Sequence, residues 1–154
     1  NEIRLMVYDF DGVMTDNRAV LDQTGVESVV VNRSDGLAVS KIKQKGIPQV
    51  ILSTEVNPVV QKRAEKLDIP CLQGIGDKKR ALSDYLSEHG LCRENVLYVG
   101  NDTNDYEVMR WVGMCAAPSD AHPLILEIAD VVTRAAGGYG VLRELWSTLE
   151  KDFD

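Results

Sequence analysis

Short apolar runs recur along this chain, and most are followed by a segment with helical spacing of its apolar positions. Ile3-Arg4-Leu5-Met6-Val7-Tyr8 leads into Asp9 and reads as a central strand. Ala19 to Leu21, the turn Asp22-Gln23-Thr24-Gly25 and Val26 to Val31 read as a β-hairpin over about residues 19–32. Ser34-Asp35 caps a helix running to about Lys45, closed by Gly46 with Pro48 beyond. Gln49 to Leu52 is a second buried strand, and Pro58, placed in a first turn, starts a helix to about Leu67. A short strand at Cys71-Leu72, a helix over Lys78 to His89 and a strand over Val96 to Val99 follow. Beyond them the pattern predicts a helix from Tyr106 to Val112, a strand over Met114 to Ala117, a helix from Leu124 to Ala129, a last strand at Asp130 to Val132 and a terminal helix.

Strands that are apolar throughout, alternating with helices, specify an α/β fold: a central parallel sheet with helices on both faces. In such sheets ligands bind beyond the carboxyl ends of the strands. Here those ends carry polar side chains. The first delivers Asp9-Phe10-Asp11-Gly12-Val13-Met14-Thr15-Asp16, the second Ser53-Thr54, and the Val96–Val99 strand delivers Asn101-Asp102-Thr103-Asn104-Asp105. Lys78 opens a helix where its ammonium can lean over the same edge.

Asp9 and Asp11 leave a strand for a tight loop allowed by Gly12, so their carboxylates can converge. Two such charges about 4 Å apart repel by roughly 4 kcal/mol at an effective dielectric near 20. Asp102 and Asp105 add to the load, and Lys78 alone cannot balance it. A hard divalent ion with oxygen ligands can, and Mg²⁺ suits one or two carboxylates plus water and a phosphate oxygen. The implied chemistry is attack of a carboxylate on phosphorus, then hydrolysis of the aspartyl-phosphate. Asp9 is the nucleophile in this reading and Asp11 the acid/base, with Ser53 and Lys78 on the phosphoryl oxygens.

Composition narrows the field. The 154 residues, 44% hydrophobic and 27% charged, suit a single domain over 1–154 with a full core. A net charge of −7 without a basic block excludes nucleic acid as a natural partner. No apolar run approaches the roughly 20 residues that cross a bilayer. Cys71, Cys92 and Cys115 are odd in number and form no CxxC pair, which favours a reducing cytoplasm. His89 and His122 stand apart and form no ligand cluster. The chain begins at Asn1 rather than methionine, as a piece cut from a longer polypeptide would.

DFDGVMTD, the Ser-Thr at the second strand end, the helix-opening Lys and GNDTND together resemble the four motifs of the haloacid dehalogenase-like (HAD) phosphatases. The hairpin after the first motif, the lack of a cap domain, ILSTE with KRAEKL, GDKKRAL and GGYGVLRE resemble its capless branch. That branch holds 3-deoxy-octulosonate 8-phosphate (KDO-8-P) phosphatases, KDN-9-phosphate and sialic acid 9-phosphate phosphatases, and C-terminal domains of some CMP-sialic acid synthetases. The resemblance implies a Rossmann-like fold and makes Asp9 and Asp11 catalytic residues and Mg²⁺ ligands, Asp11 through its carbonyl. It makes Ser53, Thr54 and Lys78 phosphate holders, and Glu55, Arg63 and Lys66 readers of the sugar acid. It implies a cytoplasmic homotetramer whose active site is closed by a neighbour's hairpin and tail, the latter matched by Gly137, Gly138, Gly140 and Arg143. Most relatives place Asp directly after the Gly of the fourth motif, where this chain has Asn101. Either Asn101 or Asp102 then completes the metal shell, and Asp105 holds Lys78 or a metal-bound water.

Three functions compete: a sugar-acid phosphatase, a non-catalytic tetramerisation module of a CMP-sialic acid synthetase, and a phospho-receiver domain. Receivers carry adjacent acids at the first strand end and a separate acceptor Asp later. The D-x-D spacing and Ser53 at the later strand end count against a receiver, and the retention of both Asp9 and Asp11 favours the phosphatase.

Overall fold

The computed structural model describes residues 2–153. Its centre is a six-stranded parallel sheet of β1 (Leu5–Tyr8), β4 (Gln49–Leu52), β5 (Cys71–Leu72), β6 (Val96–Val99), β7 (Met114–Ala117) and β8 (Val131–Val132). The strand order is β5-β4-β1-β6-β7-β8. The chain thus winds outward from β1 in two directions, and the switch point lies at the carboxyl ends of β1, β4 and β6.

The all-apolar strands are explained by burial on both faces. Met6 and Tyr8 of β1 join a core with α1 (Arg33–Gln44), α2 (Pro58–Leu67) and α6 (Val141–Leu149). Leu5 and Val7 point the other way, toward α3 (Lys78–His89), α4 (Tyr106–Trp111) and α5 (Pro123–Ile128). The two-residue alternation of a strand sorts its side chains between these cores. Truncating a contributor such as Leu82, which is fully buried, would cost about 2–5 kcal/mol.

Helix ends follow local chemistry, with one change from the sequence pattern. Asn32, not Ser34 or Asp35, caps α1, its side-chain oxygen accepting from the Ser34 N–H at 2.9 Å. Asp35 is instead drawn into the helix and buried. The hairpin strands β2 (Val20–Leu21) and β3 (Glu27–Ser28) are only two residues each. They pair with each other and with no strand of the main sheet, which leaves Val20 and Leu21 about two-thirds exposed. Among the described residues, no helix is long and apolar enough to cross a membrane.

Candidate active site

Asp9 follows the last residue of β1, and its N–H donates to the Val99 carbonyl at 2.9 Å, tying it to the exit of β6. Its carboxylate is buried and two-sided. Oδ1 accepts from the Phe10 N–H at 2.8 Å and faces the Lys78 ammonium at 3.1 Å. Oδ2 faces the Asn101 side-chain amide and, beside it, the carbonyl of Asp11. With its nitrogen turned inward, that amide donates to Asp9 Oδ2 at 2.8 Å and to the Asp11 carbonyl at 3.0 Å.

Asp105 organises the rest. It is fully buried, and its Oδ1 accepts from Lys78 Nζ and from the Tyr98 hydroxyl, both at 2.7 Å. Its Oδ2 accepts from the Asn101 and Asp102 N–H groups at 3.0 and 3.2 Å. One carboxylate therefore fixes both the ammonium and the loop that presents Asn101. Lys78 sits in the first turn of α3, behind the Asp77 cap, and is 3% exposed. Burial works against its charge, but Asp9 and Asp105 outweigh that and leave its pKa raised.

Burial, and then the Asp105 charge, push Asp9 up to about 8, with Lys78 pulling it back. A nucleophile must be ionised, so such a carboxylate gains from further positive charge beside Oδ2. The surroundings suit a hard cation there. Among the described residues no three His, Cys, Asp or Glu side chains cluster as a ligand set. With the Asn101 amide oxygen turned inward, however, one carboxylate, one backbone carbonyl and one amide present three oxygens to each other. A cation between them would reconcile that arrangement, and all-oxygen donors fit Mg²⁺-like ions.

Asp11 is half-buried on the rim of a cleft of about 190 Å³, lined also by Asn17, Arg18, Glu27, Glu55 and Asn57. Burial, and then Glu55, raise its pKa, which suits a group that must deliver a proton. The buried Ser53 accepts from the Glu55 N–H at 3.0 Å through Oγ, leaving its hydroxyl proton free to donate. The Glu55 carboxylate itself accepts from the Val56 and Asn57 N–H groups, which holds it at the mouth.

Other residues singled out from the sequence lie elsewhere. Thr54 is exposed and does not line the cleft. Asp102 is also exposed, its carboxylate accepting from the Thr103 N–H at 2.7 Å as the cap of the short turn that ends at Asp105. Arg63 and Lys66 line a separate groove between α1 and α2, and the Arg63 guanidinium donates to the Asn32 carbonyl at 3.2 Å. Gly137 and Gly138 pack on the first-motif loop of the same chain. Gly138 donates to the Val13 carbonyl at 3.1 Å, and a Cβ at Gly137 would strike the Gly12 carbonyl.

Sequence reasoning passed over Tyr98, Asn17, Arg18 and Glu27. Tyr98 did leave a trace: it carries the one polar tip in the otherwise aliphatic strand Val96–Val99. A buried Tyr needs a partner for its hydroxyl, and Asp105 is that partner.

Comparison with known proteins agrees with this geometry. Residues 72–145 match the family model of haloacid dehalogenase-like hydrolases. The chain is 38% identical over 148 residues to the 3-deoxy-D-manno-octulosonate 8-phosphate phosphatase of Escherichia coli, covering 96% of this chain and 79% of that protein. The crystal structure of the Yersinia pestis 3-deoxy-D-manno-octulosonate 8-phosphate phosphatase is 35% identical and superposes with a TM-score of 0.94 over 99% of this chain and 83% of its own. The Moraxella catarrhalis phosphatase of the same name, solved with magnesium, phosphate and KDO, is 28% identical with a TM-score of 0.93, over 97% of this chain and 87% of its own. The chain belongs to the haloacid dehalogenase-like phosphatases, in the branch of the 3-deoxy-D-manno-octulosonate 8-phosphate phosphatases.

Proposed function

We propose that this chain is a Mg²⁺-dependent phosphomonoesterase for a phosphorylated 2-keto-3-deoxy sugar acid, KDO-8-phosphate first among them, acting through a phosphoryl group on Asp9. The observation that carries the proposal is the two-sided Asp9 carboxylate: Lys78 on Oδ1, the Asp11 carbonyl and Asn101 amide around Oδ2. Asp9 attacks phosphorus while Lys78 and the Ser53 hydroxyl hold the phosphoryl oxygens as charge accumulates on them. Asp11 gives its proton to the departing sugar hydroxyl. It then removes one from the water that attacks the aspartyl-phosphate, which frees the Asp9 carboxylate and returns Asp11 to its protonated form. Mg²⁺, held by Asp9, the Asp11 carbonyl and Asn101, supplies charge neutralisation and Lewis acidity at the phosphoryl group. Arg18, whose exposed guanidinium pairs with Asp16 at 3.2 Å, is the basic residue among those lining the cleft and would have to leave Asp16 to meet a sugar carboxylate.

The exposed hairpin residues Val20, Leu21, Val26 and Val30 support a homotetramer in which a neighbour covers the cleft. The three unpaired cysteines support a cytoplasmic setting. The test is Mg²⁺-dependent phosphate release from KDO-8-phosphate, KDN-9-phosphate and N-acetylneuraminate 9-phosphate, with Asp9→Asn as control. Turnover of a sugar-acid phosphate that Asp9→Asn abolishes is the expected result. No turnover of any phosphosugar by an intact tetramer would favour the tetramerisation module instead.

A further inference from the structure

Asn101 stands where one side chain can present either of two opposite faces to the same pair of oxygens. Its backbone is pinned: the N–H donates to Asp105 Oδ2 at 3.0 Å and the carbonyl accepts from the His122 N–H at 2.8 Å. The residue is 8% exposed, and its amide lies against Gly12 so closely that a Cβ there would collide with it. The amide is thus packed against the first-motif loop, and rotating the planar group about its own axis preserves its shape. The terminal torsion of Asn is broad and nearly two-fold, so the two faces are interchangeable sterically. They are not interchangeable electrostatically. Nitrogen inward, the amide donates to Asp9 Oδ2 at 2.8 Å and the Asp11 carbonyl at 3.0 Å, doing with two N–H bonds what a cation does with its charge. Oxygen inward, it adds a third ligand to a cation between them.

We infer that Asn101 is a two-position plug: its amide nitrogen closes the cation site in the metal-free protein and its amide oxygen completes the ligand set when the ion enters. The inference rests on the cation site of the proposed function and deepens it. A carboxylate at this position could do only the second. Without the ion, a carboxylate here would set its oxygens against Asp9 Oδ2 and the Asp11 carbonyl in a buried place, with at most a proton shared between the two acids. Asn therefore gives weaker metal binding and a better-ordered first-motif loop before the metal binds.

The experiment combines calorimetric titration of Mg²⁺, thermal unfolding in chelator, and NMR of the Asn101 side-chain NH₂, identified by its loss in Asn101→Asp. Asn101→Asp should bind Mg²⁺ at least about tenfold tighter, because affinity rises with ligand charge, and should melt several degrees below the wild type in chelator. Asn101→Ala, which can neither donate nor ligate, should melt low in chelator and also bind Mg²⁺ more weakly. In the wild type the NH₂ pair should exchange slowly with solvent in chelator, then shift and lose that protection as Mg²⁺ is added. Metal-free Asn101→Asp melting at or above the wild type, or an NH₂ pair indifferent to Mg²⁺, overturns the plug. These results separate from failure of the parent proposal, which would show as no Mg²⁺ binding and no phosphate release by the wild type.

Discussion

Two aspartates are almost equally buried in this molecule, and their surroundings could hardly differ more. Asp105, beyond β6, is 0% exposed and accepts from Lys78, Tyr98 and two backbone N–H groups. Asp35, in the first turn of α1 on the opposite side of the sheet, is 1% exposed, and neither of its oxygens has a hydrogen-bond partner among the described residues. Burial drives Asp35 up to about 7, with the Leu142 N–H and the Arg63 charge pulling the other way without forming a bond that satisfies it. Tyr8 also faces it from β1, and its own pKa is raised, by burial and then by the Asp35 charge. A buried carboxylate is tolerated as an ion where donors surround it, and otherwise takes up a proton. The first arrangement builds a site; the second is a strain carried elsewhere in the fold.

The sharpest way to break the comparison is to make the Asp105 region resemble the Asp35 region. Lys78→Met removes the ammonium shared by Asp9 and Asp105 and leaves two buried carboxylates without their counter-charge. Denaturant unfolding should show a loss of about 3–5 kcal/mol at neutral pH. Phosphate release should fall by at least about 10²-fold, because a donor to the phosphoryl oxygens goes with it. A variant as stable as the wild type would mean that the other donors to Asp105 suffice.

The reverse change is Asp35→Asn, which should relieve the strain. A carboxyl of ordinary value 3.8 held at about 7 in the folded chain means that folding takes up a proton between those values. Stability on this account is full below about pH 4, falls through the window up to pH 7, and stays reduced above it. At about 1.4 kcal/mol per unit, the penalty above pH 7 approaches roughly 4 kcal/mol. Asn, being neutral, should remove most of that slope. Unfolding free energies at pH 5 and pH 8 should therefore differ less in the variant than in the wild type. Parallel pH profiles would show that Asp35 is not the group responsible.

The same contrast marks where the sequence could be read and where it could not. The D-x-D at the first strand end placed Asp9 and Asp11, because a parallel strand aims its next residues at the ligand edge whatever the packing. The pair Asn101-Asp102 stayed ambiguous, because which of them faces inward depends on the short turn Thr103–Asp105 and on two N–H bonds to Asp105. Arg63 and Lys66 share a helix face, but the roll of that helix is set by Val60, Ala64 and Leu67 in the core, which sends Arg63 toward α1. Ser34-Asp35 carried the chemistry of a cap, yet Asn32 took the position and left Asp35 inside. Burial of a short polar side chain one turn into a helix is a tertiary effect with no local signature.

The central claim is that Asp9, and not its neighbours, takes the phosphoryl group. The most direct test is borohydride reduction of enzyme quenched during turnover of KDO-8-phosphate with Mg²⁺, followed by peptide mass spectrometry. An acyl phosphate is reduced to the alcohol, so the account predicts homoserine at position 9 and unmodified aspartate at 11 and 105. Continued phosphate release with Asp9 unmodified in every quenched sample would contradict it.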